Sequence, residues 1–92
     1  HTASLFADAP QFAAAMDRHQ AQPLMVVEPP SAPYVRISMT LAAILQAKML
    51  YIAAYGAQKQ ALLQQALLTE EALLPITWVL QEAQDVPMHV FG

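Results

Sequence analysis

The chain has 92 residues, of which 57% are hydrophobic and only 12% charged, against about 25% charged in average globular usage. Its net charge of −3 rests on just four Lys and Arg, which leaves no basic stripe for nucleic acid. The absence of cysteine excludes disulfides, thiolate catalysis and thiolate metal sites. Short chains bury a smaller fraction of their surface on folding, so the apolar excess, with a mean hydropathy of +0.34, is expected to pack against more protein. A missing half of the same domain, a second copy or another subunit would serve. No apolar run approaches the roughly 20 residues of a membrane span, no secretory signal is visible, and the cytoplasm is the expected compartment.

In chain order, His1-Thr2-Ala3-Ser4-Leu5-Phe6 reads as a loop, and the alanine-rich stretch from Gln11 to Arg18 as a short helix. Leu24 to Val27 is a brief apolar strand, stopped by Pro29-Pro30 because proline lacks the ladder donor. From Tyr34 to Thr40 the pattern alternates, with Val35, Ile37 and Met39 on one side and Tyr34, Arg36, Ser38 and Thr40 on the other, as in a half-buried strand. Thr40 is placed to cap a helix over Leu41 to Lys48.

Leu50 to Tyr55 is apolar on both faces, the pattern of a parallel strand covered on both sides, and it ends at Gly56. Helical spacing resumes over Ala57 to Leu68, where Leu62 with Ala66 and Leu63 with Leu67 form an apolar face. Thr69 to Ala83 reads as mainly helical, with Glu70-Glu71 capping after Thr69 and a second piece from Pro75 to Glu82. Val86 to Phe91 closes as a strand, and Pro87 near its start indicates an edge or first position. Strands alternating with helices define an α/β chain. The five methionines, Met16, Met25, Met39, Met49 and Met88, read as core filler.

Chemistry is expected where the Leu50–Tyr55 strand turns through Gly56 into its helix, because ligands of open α/β sheets sit at the carboxyl ends of strands and helix N-termini offer free N–H groups to anions. Lys59 falls in the first turn of that helix, where a cation opposes the helix dipole; the position suits an anion, or simply a solvated lysine. Arg36 offers a donor fork for a phosphate or a surface ion pair. His1 can take up and return a proton near neutral pH. His19 and His89 read as structural, and no histidine pair has metal-ligand spacing. Neither a metal nor an organic cofactor is expected.

Three ordered segments resemble the 6-phosphogluconolactonase family: His1-Thr2-Ala3-Ser4-Leu5-Phe6, the stretch Pro33 to Leu41, and Tyr55-Gly56-Ala57-Gln58-Lys59. These are similar to the family's His-Thr-Ala-Ser-Leu-Phe loop, its Arg-Ile-Ser-Leu-Thr-Leu segment and its Thr-Gly-x-x-Lys turn. The chain departs from the pattern at Ala7-Asp8, where Pro-Gly is usual, and at Tyr55, where threonine is usual.

The resemblance implies that residues 1–92 are the C-terminal portion of a single sugar-phosphate enzyme domain whose N-terminal half is absent. The corresponding fold is an incomplete Rossmann-like three-layer sandwich with a mainly parallel sheet. It implies His1 as general base and Arg36, Lys59 and Gly56 as phosphate-binding positions. The intact enzyme would hydrolyse 6-phospho-D-glucono-1,5-lactone, with no cofactor, and the isolated portion is expected to be inactive. Two alternatives stand beside this reading. One is a glucosamine-6-phosphate deaminase-like isomerase, whose loop reads His-Ile-Ala-Phe-Asn-Glu-Pro instead. The other is a non-catalytic packing module.

Overall fold

The computed structural model describes residues 1–32, 34–68 and 74–91. In chain order the elements are α1 (Phe12–Ala15), β1 (Leu24–Val27), β2 (Arg36–Met39), α2 (Leu41–Leu45), β3 (Leu50–Ala53), α3 (Ala57–Leu68), α4 (Pro75–Glu82) and β4 (Met88–Phe91). They divide into two compact units, His1–Gln46 and Ala47–Gly92.

In the first unit α1 is one turn, shorter than the alanine run suggests. Its N-terminal neighbour Gln11 makes no side-chain cap. Gln11 instead donates through Nε2 to Glu28 Oε1 at 2.8 Å and accepts the Glu28 N–H at 3.0 Å. Beyond the helix, Asp17 Oδ1 accepts the N–H of His19 at 2.9 Å, a local turn that competes with continued helix.

Strands β1 and β2 pair antiparallel, with Leu24 opposite Met39, Met25 opposite Ser38, Val26 opposite Ile37 and Val27 opposite Arg36. Continuing this register would set Tyr34 against Pro29, which has no N–H to give, so the strand starts at Arg36 rather than Tyr34.

Opposed residues share a face, and the two faces differ in an unexpected direction. Ile37 is 69% exposed and Ser38 only 3% exposed. Leu24, Val26 and Met39 lie on the exposed side with Ile37, and Val27 lies on the buried side with Ser38. The alternation is present, but the hydroxyls turn inward. Thr40 shows the cause: its side chain donates to the Gln22 carbonyl at 2.8 Å and accepts the Ala43 N–H at 3.2 Å. It is therefore the expected N-cap of α2 and also a tie to the segment before β1. Leu5, Ala15, Met16, Val27 and Leu41 fill the core of this unit. Helix α2 ends at Leu45, three residues short of Lys48.

In the second unit β3 and β4 pair in parallel, Leu50 with Met88 through Ala53 with Phe91, as expected of an apolar strand bounded by Gly56. Pro87 precedes β4 and contributes its carbonyl to Leu50 N–H at 2.9 Å, a use that needs no donor from proline. The expected cover on both faces of β3 is absent from the described residues: Tyr51 is exposed, and its ring stacks along the open face against His89 at 5.6 Å and Phe91 at 5.8 Å.

Helix α3 spans the expected residues, but its buried side is Leu63 with Ala66, while Leu62 and Leu67 are exposed. Helix α4 starts at Pro75 after an extended Leu74, since the residue before proline avoids helical angles and a missing N–H is harmless in a first turn. Thr77, Val79 and Ala83 are buried here. Of the methionines read as filler, Met16 is buried whereas Met39 and Met49 are exposed. The cap assigned to Thr69 and Glu70-Glu71 lies outside the described residues. No helix among the described residues is long and apolar enough to cross a membrane.

Candidate active site

The loop that begins the chain is built by its own backbone. Leu5 N–H donates to the Thr2 carbonyl at 2.8 Å and Thr2 N–H to the Leu5 carbonyl at 3.3 Å. The turn between them puts Ala3 at φ +52, a left-handed angle that costs a residue with a Cβ about 1 kcal/mol. Two anchors hold the turn in place. Leu5 is 1% exposed and plugs the core. Ser4 N–H donates to Ser38 Oγ at 3.1 Å, and that hydroxyl donates onward to the Met39 carbonyl at 2.9 Å. The inward face of β2 therefore pins the loop.

Phe6 follows Leu5 and is half-buried. The imidazole of His1 lies against its ring with centroids 4.4 Å apart and planes 12° apart. The guanidinium carbon of Arg36, on the same inward face of β2 as Ser38, stands 4.9 Å from the Phe6 centroid. His1 and Arg36, separated by most of the first unit in sequence, meet on one aromatic ring. Stacking occupies a face of the imidazole and leaves the in-plane directions of its nitrogens, along which hydrogen bonds form. His1 is exposed to solvent. A proton acceptor and a planar cationic fork thus share one support.

In the second unit the β3–α3 turn is built around Gly56. Its φ is +93, and a Cβ added there would meet nothing within 4 Å, so the backbone angle rather than crowding calls for glycine. The Gly56 carbonyl accepts Gln60 N–H at 3.0 Å and so starts α3. The first amides of that helix have no carbonyl four residues back within it, no acidic residue occupies its first turn, and Lys59 is its third residue and exposed. Free amides and an exposed ammonium on one turn suit an anion.

His1 and Arg36 are thus brought together in the first unit, and Gly56 and Lys59 in the second. His19 and His89 are exposed and belong to neither cluster. The side chains missed from the sequence are Phe6 and Ser38. Phe6 had one available signal, an aromatic residue five places after a histidine in a loop. Ser38 had only its place in the alternation, which sets a face without saying what that face meets.

A family model described as glucosamine-6-phosphate isomerases/6-phosphogluconolactonase matches residues 1–88. The chain belongs to this family. Proteins named 6-phosphogluconolactonase from Neisseria meningitidis serogroup A and serogroup B are each 42% identical over 91 residues, covering 99% of this chain and 39% of their own length. Among solved structures, a putative 6-phosphogluconolactonase from Neisseria gonorrhoeae FA 1090 superposes with a TM-score of 0.88 at 43% identity, over 99% of this chain and 39% of that one. A 6-phosphogluconolactonase from Shewanella baltica OS155 superposes at 0.85 with 25% identity, over 99% of this chain and 38% of that one. The α/β class and parallel pairing read from the sequence belong to the Rossmann-like fold of these structures. The chain spans 39% of the length of the curated relatives it matches.

Proposed function

We propose that this chain is a portion of a 6-phosphogluconolactonase, a hydrolase that opens 6-phospho-D-glucono-1,5-lactone to 6-phosphogluconate. The observation that carries the reading is 42% identity along 99% of the chain to proteins bearing that name. The family description also covers isomerases; the His1-Thr2-Ala3-Ser4-Leu5-Phe6 loop favours the lactonase.

In the proposed reaction His1 takes a proton from a water molecule as its oxygen attacks the lactone carbonyl. The tetrahedral oxyanion then collapses, the bond from the carbonyl carbon to the ring oxygen breaks, and the proton passes from His1 to that oxygen, which leaves as a hydroxyl. Arg36, Lys59 and the amides after Gly56 bind the phosphate, a remote handle whose binding orients the reacting carbonyl. These steps need no metal or organic cofactor. The reading places the protein in the cytoplasm. It assigns the open apolar faces of β1–β2 and β3–β4 to contact with further protein, either the rest of the domain or a second copy.

The test is lactone hydrolysis by the full-length protein carrying this segment. His1→Ala should lower kcat by about 100-fold or more, the contribution typical of a general base. Lys59→Ala should act mainly on KM, as expected when binding of a remote group is lost. Unchanged hydrolysis in the histidine variant would overturn the assignment.

A further inference from the structure

The loop holds a side chain that the proposed chemistry does not use and the geometry singles out. Phe6 is not the residue that fills the core; Leu5 does that, at 1% exposure, while Phe6 is only half-buried. Its ring instead contacts two polar side chains, with His1 stacked at 4.4 Å and the Arg36 guanidinium carbon at 4.9 Å. Among the described residues no carboxylate pairs with Arg36, and its guanidinium lies over the Phe6 ring. The backbone that carries the ring is held in place. Leu5 is locked by its exchange of backbone bonds with Thr2, and Ser4 by the Ser38 hydroxyl, so the backbone entering Phe6 is held from both the core and β2.

We propose that Phe6 is a positioning residue that sets the ring plane of His1 and the guanidinium plane of Arg36 together, so that one side chain aligns the proton acceptor and one of the phosphate ligands. The inference rests on the lactonase reading above. A face-to-face stack restricts tilting of the imidazole while leaving its in-plane nitrogens to water and substrate. A cation over an aromatic face is attracted by the ring quadrupole, which holds the planar fork of Arg36 where an acid partner would instead compete with phosphate for the same donors. Loss of the ring therefore disturbs base alignment and phosphate binding at once, a signature that loss of either ligand alone does not give.

The experiment uses the full-length enzyme carrying this segment, with Phe6→Leu and Phe6→Met removing the ring but keeping apolar volume, and Phe6→Tyr keeping the ring. In Phe6→Leu and Phe6→Met, kcat should fall about tenfold and KM rise about threefold, because small misplacements of reacting groups lower rates by one to two orders of magnitude. Phe6→Tyr should stay within about twofold of the parent in both constants. Proton NMR of the His1 ring supplies a readout independent of turnover: its carbon-bound protons should be shifted upfield by the stacked ring in the parent and in Phe6→Tyr, and return toward free-histidine positions in Phe6→Leu. Equal kinetics in the Leu and Tyr variants would overturn the proposal, as would His1 ring protons that ignore the Phe6→Leu change. A strong His1→Ala defect beside an unaffected Phe6→Leu enzyme would remove the positioning role alone. Full turnover in His1→Ala would instead remove the base assignment beneath it.

Discussion

The two units differ in the contacts seen among their described residues. Within His1–Gln46 the geometry is set by polar side chains with distant partners: Ser38 holds the Ser4 amide, Thr40 joins Gln22 to the start of α2, and Gln11 and Glu28 bond reciprocally. Within Ala47–Gly92 the buried apolar residues are fewer, Leu63, Ala66, Val79 and Ala83 against Leu5, Ala9, Ala15, Met16, Val27, Leu41 and Ala42 in the first unit, and two strands form a parallel ladder. A unit tied by hydroxyls can turn its polar face inward and keep a loop in one conformation. One with few buried apolar side chains depends on how completely each of them is enclosed. The general base of the proposed reaction lies in the first kind of unit, where directional bonds can fix a loop backbone.

The largest effect that sharpens this contrast is expected in the second unit. Leu63 is one of the few large apolar side chains buried there, at 8% exposure, and Leu63→Ala should destabilise the chain by about 2–4 kcal/mol through lost burial and the cavity left behind. Urea denaturation gives the number. A loss below about 0.5 kcal/mol would mean that α3 contributes little packing and that the unit is held mainly by its ladder.

The next test inverts a common expectation on β2. Ser38→Ala leaves the Ser4 amide without its acceptor in a partly buried setting, for an expected cost of about 1–2 kcal/mol. Ile37→Thr, one residue away and itself 69% exposed, keeps β-branching and should stay within about 0.5 kcal/mol. Parallel urea titrations of the two variants read this directly. If Ile37→Thr proves the costlier change, the apolar side of the ribbon is covered in solution, and the inward direction of the hydroxyls no longer explains the stability of the unit.

That pair of neighbours also marks the limit of what the sequence makes legible. Period-two alternation identifies Ile37 and Ser38 as members of different faces, and 3.6-residue spacing places α3 over Ala57–Leu68. The cap at Thr40, the strand Leu24–Val27 and the proline start of α4 are likewise local, because each depends on residues within one turn of itself. The inward direction of β2 is not local. It goes with hydrogen bonds to distant segments, Ser38 to Ser4 34 positions away and Thr40 to Gln22 18 positions away, and no pattern within the strand encodes them. The narrow buried face of α3 has a related cause: Leu62, Leu63 and Leu67 are equally apolar, and only the position of the neighbouring layer decides that Leu63 is covered while the other two are not. In the candidate site, Gly56 is legible as the end of an apolar strand, and its φ of +93 accounts for it. The meeting of His1 and Arg36 on Phe6 depends on the fold that brings the loop to β2.

The smallest effect concerns Asp8, at the far end of the loop from His1. Ser31 donates its N–H to Asp8 Oδ2 at 2.9 Å. Hydrogen bonding from the Ser31 side chain is the main influence holding the Asp8 carboxyl below the ordinary aspartate value; desolvation works the other way, and the backbone N–H groups of Ser31 and Asp8 add to the lowering. Because the folded form binds its proton less readily than the unfolded form, the unfolded chain carries more protons across the interval between them, and stability rises with pH there. The contribution is fully present above the ordinary aspartate value of about 3.9, and is lost as pH falls through the lower folded value. Asp8 is exposed, so solvent screens the effect. Asp8→Asn keeps an oxygen for the Ser31 amide but cannot titrate. Thermal melts of the two proteins between pH 6 and pH 3 should therefore converge as the parent loses its advantage toward the acid end. Melting curves that keep a constant separation over that interval would show that the Asp8–Ser31 bonds are as strong with the protonated carboxyl as with the carboxylate, and that the polar stitching of the first unit ends before it reaches this corner of the loop.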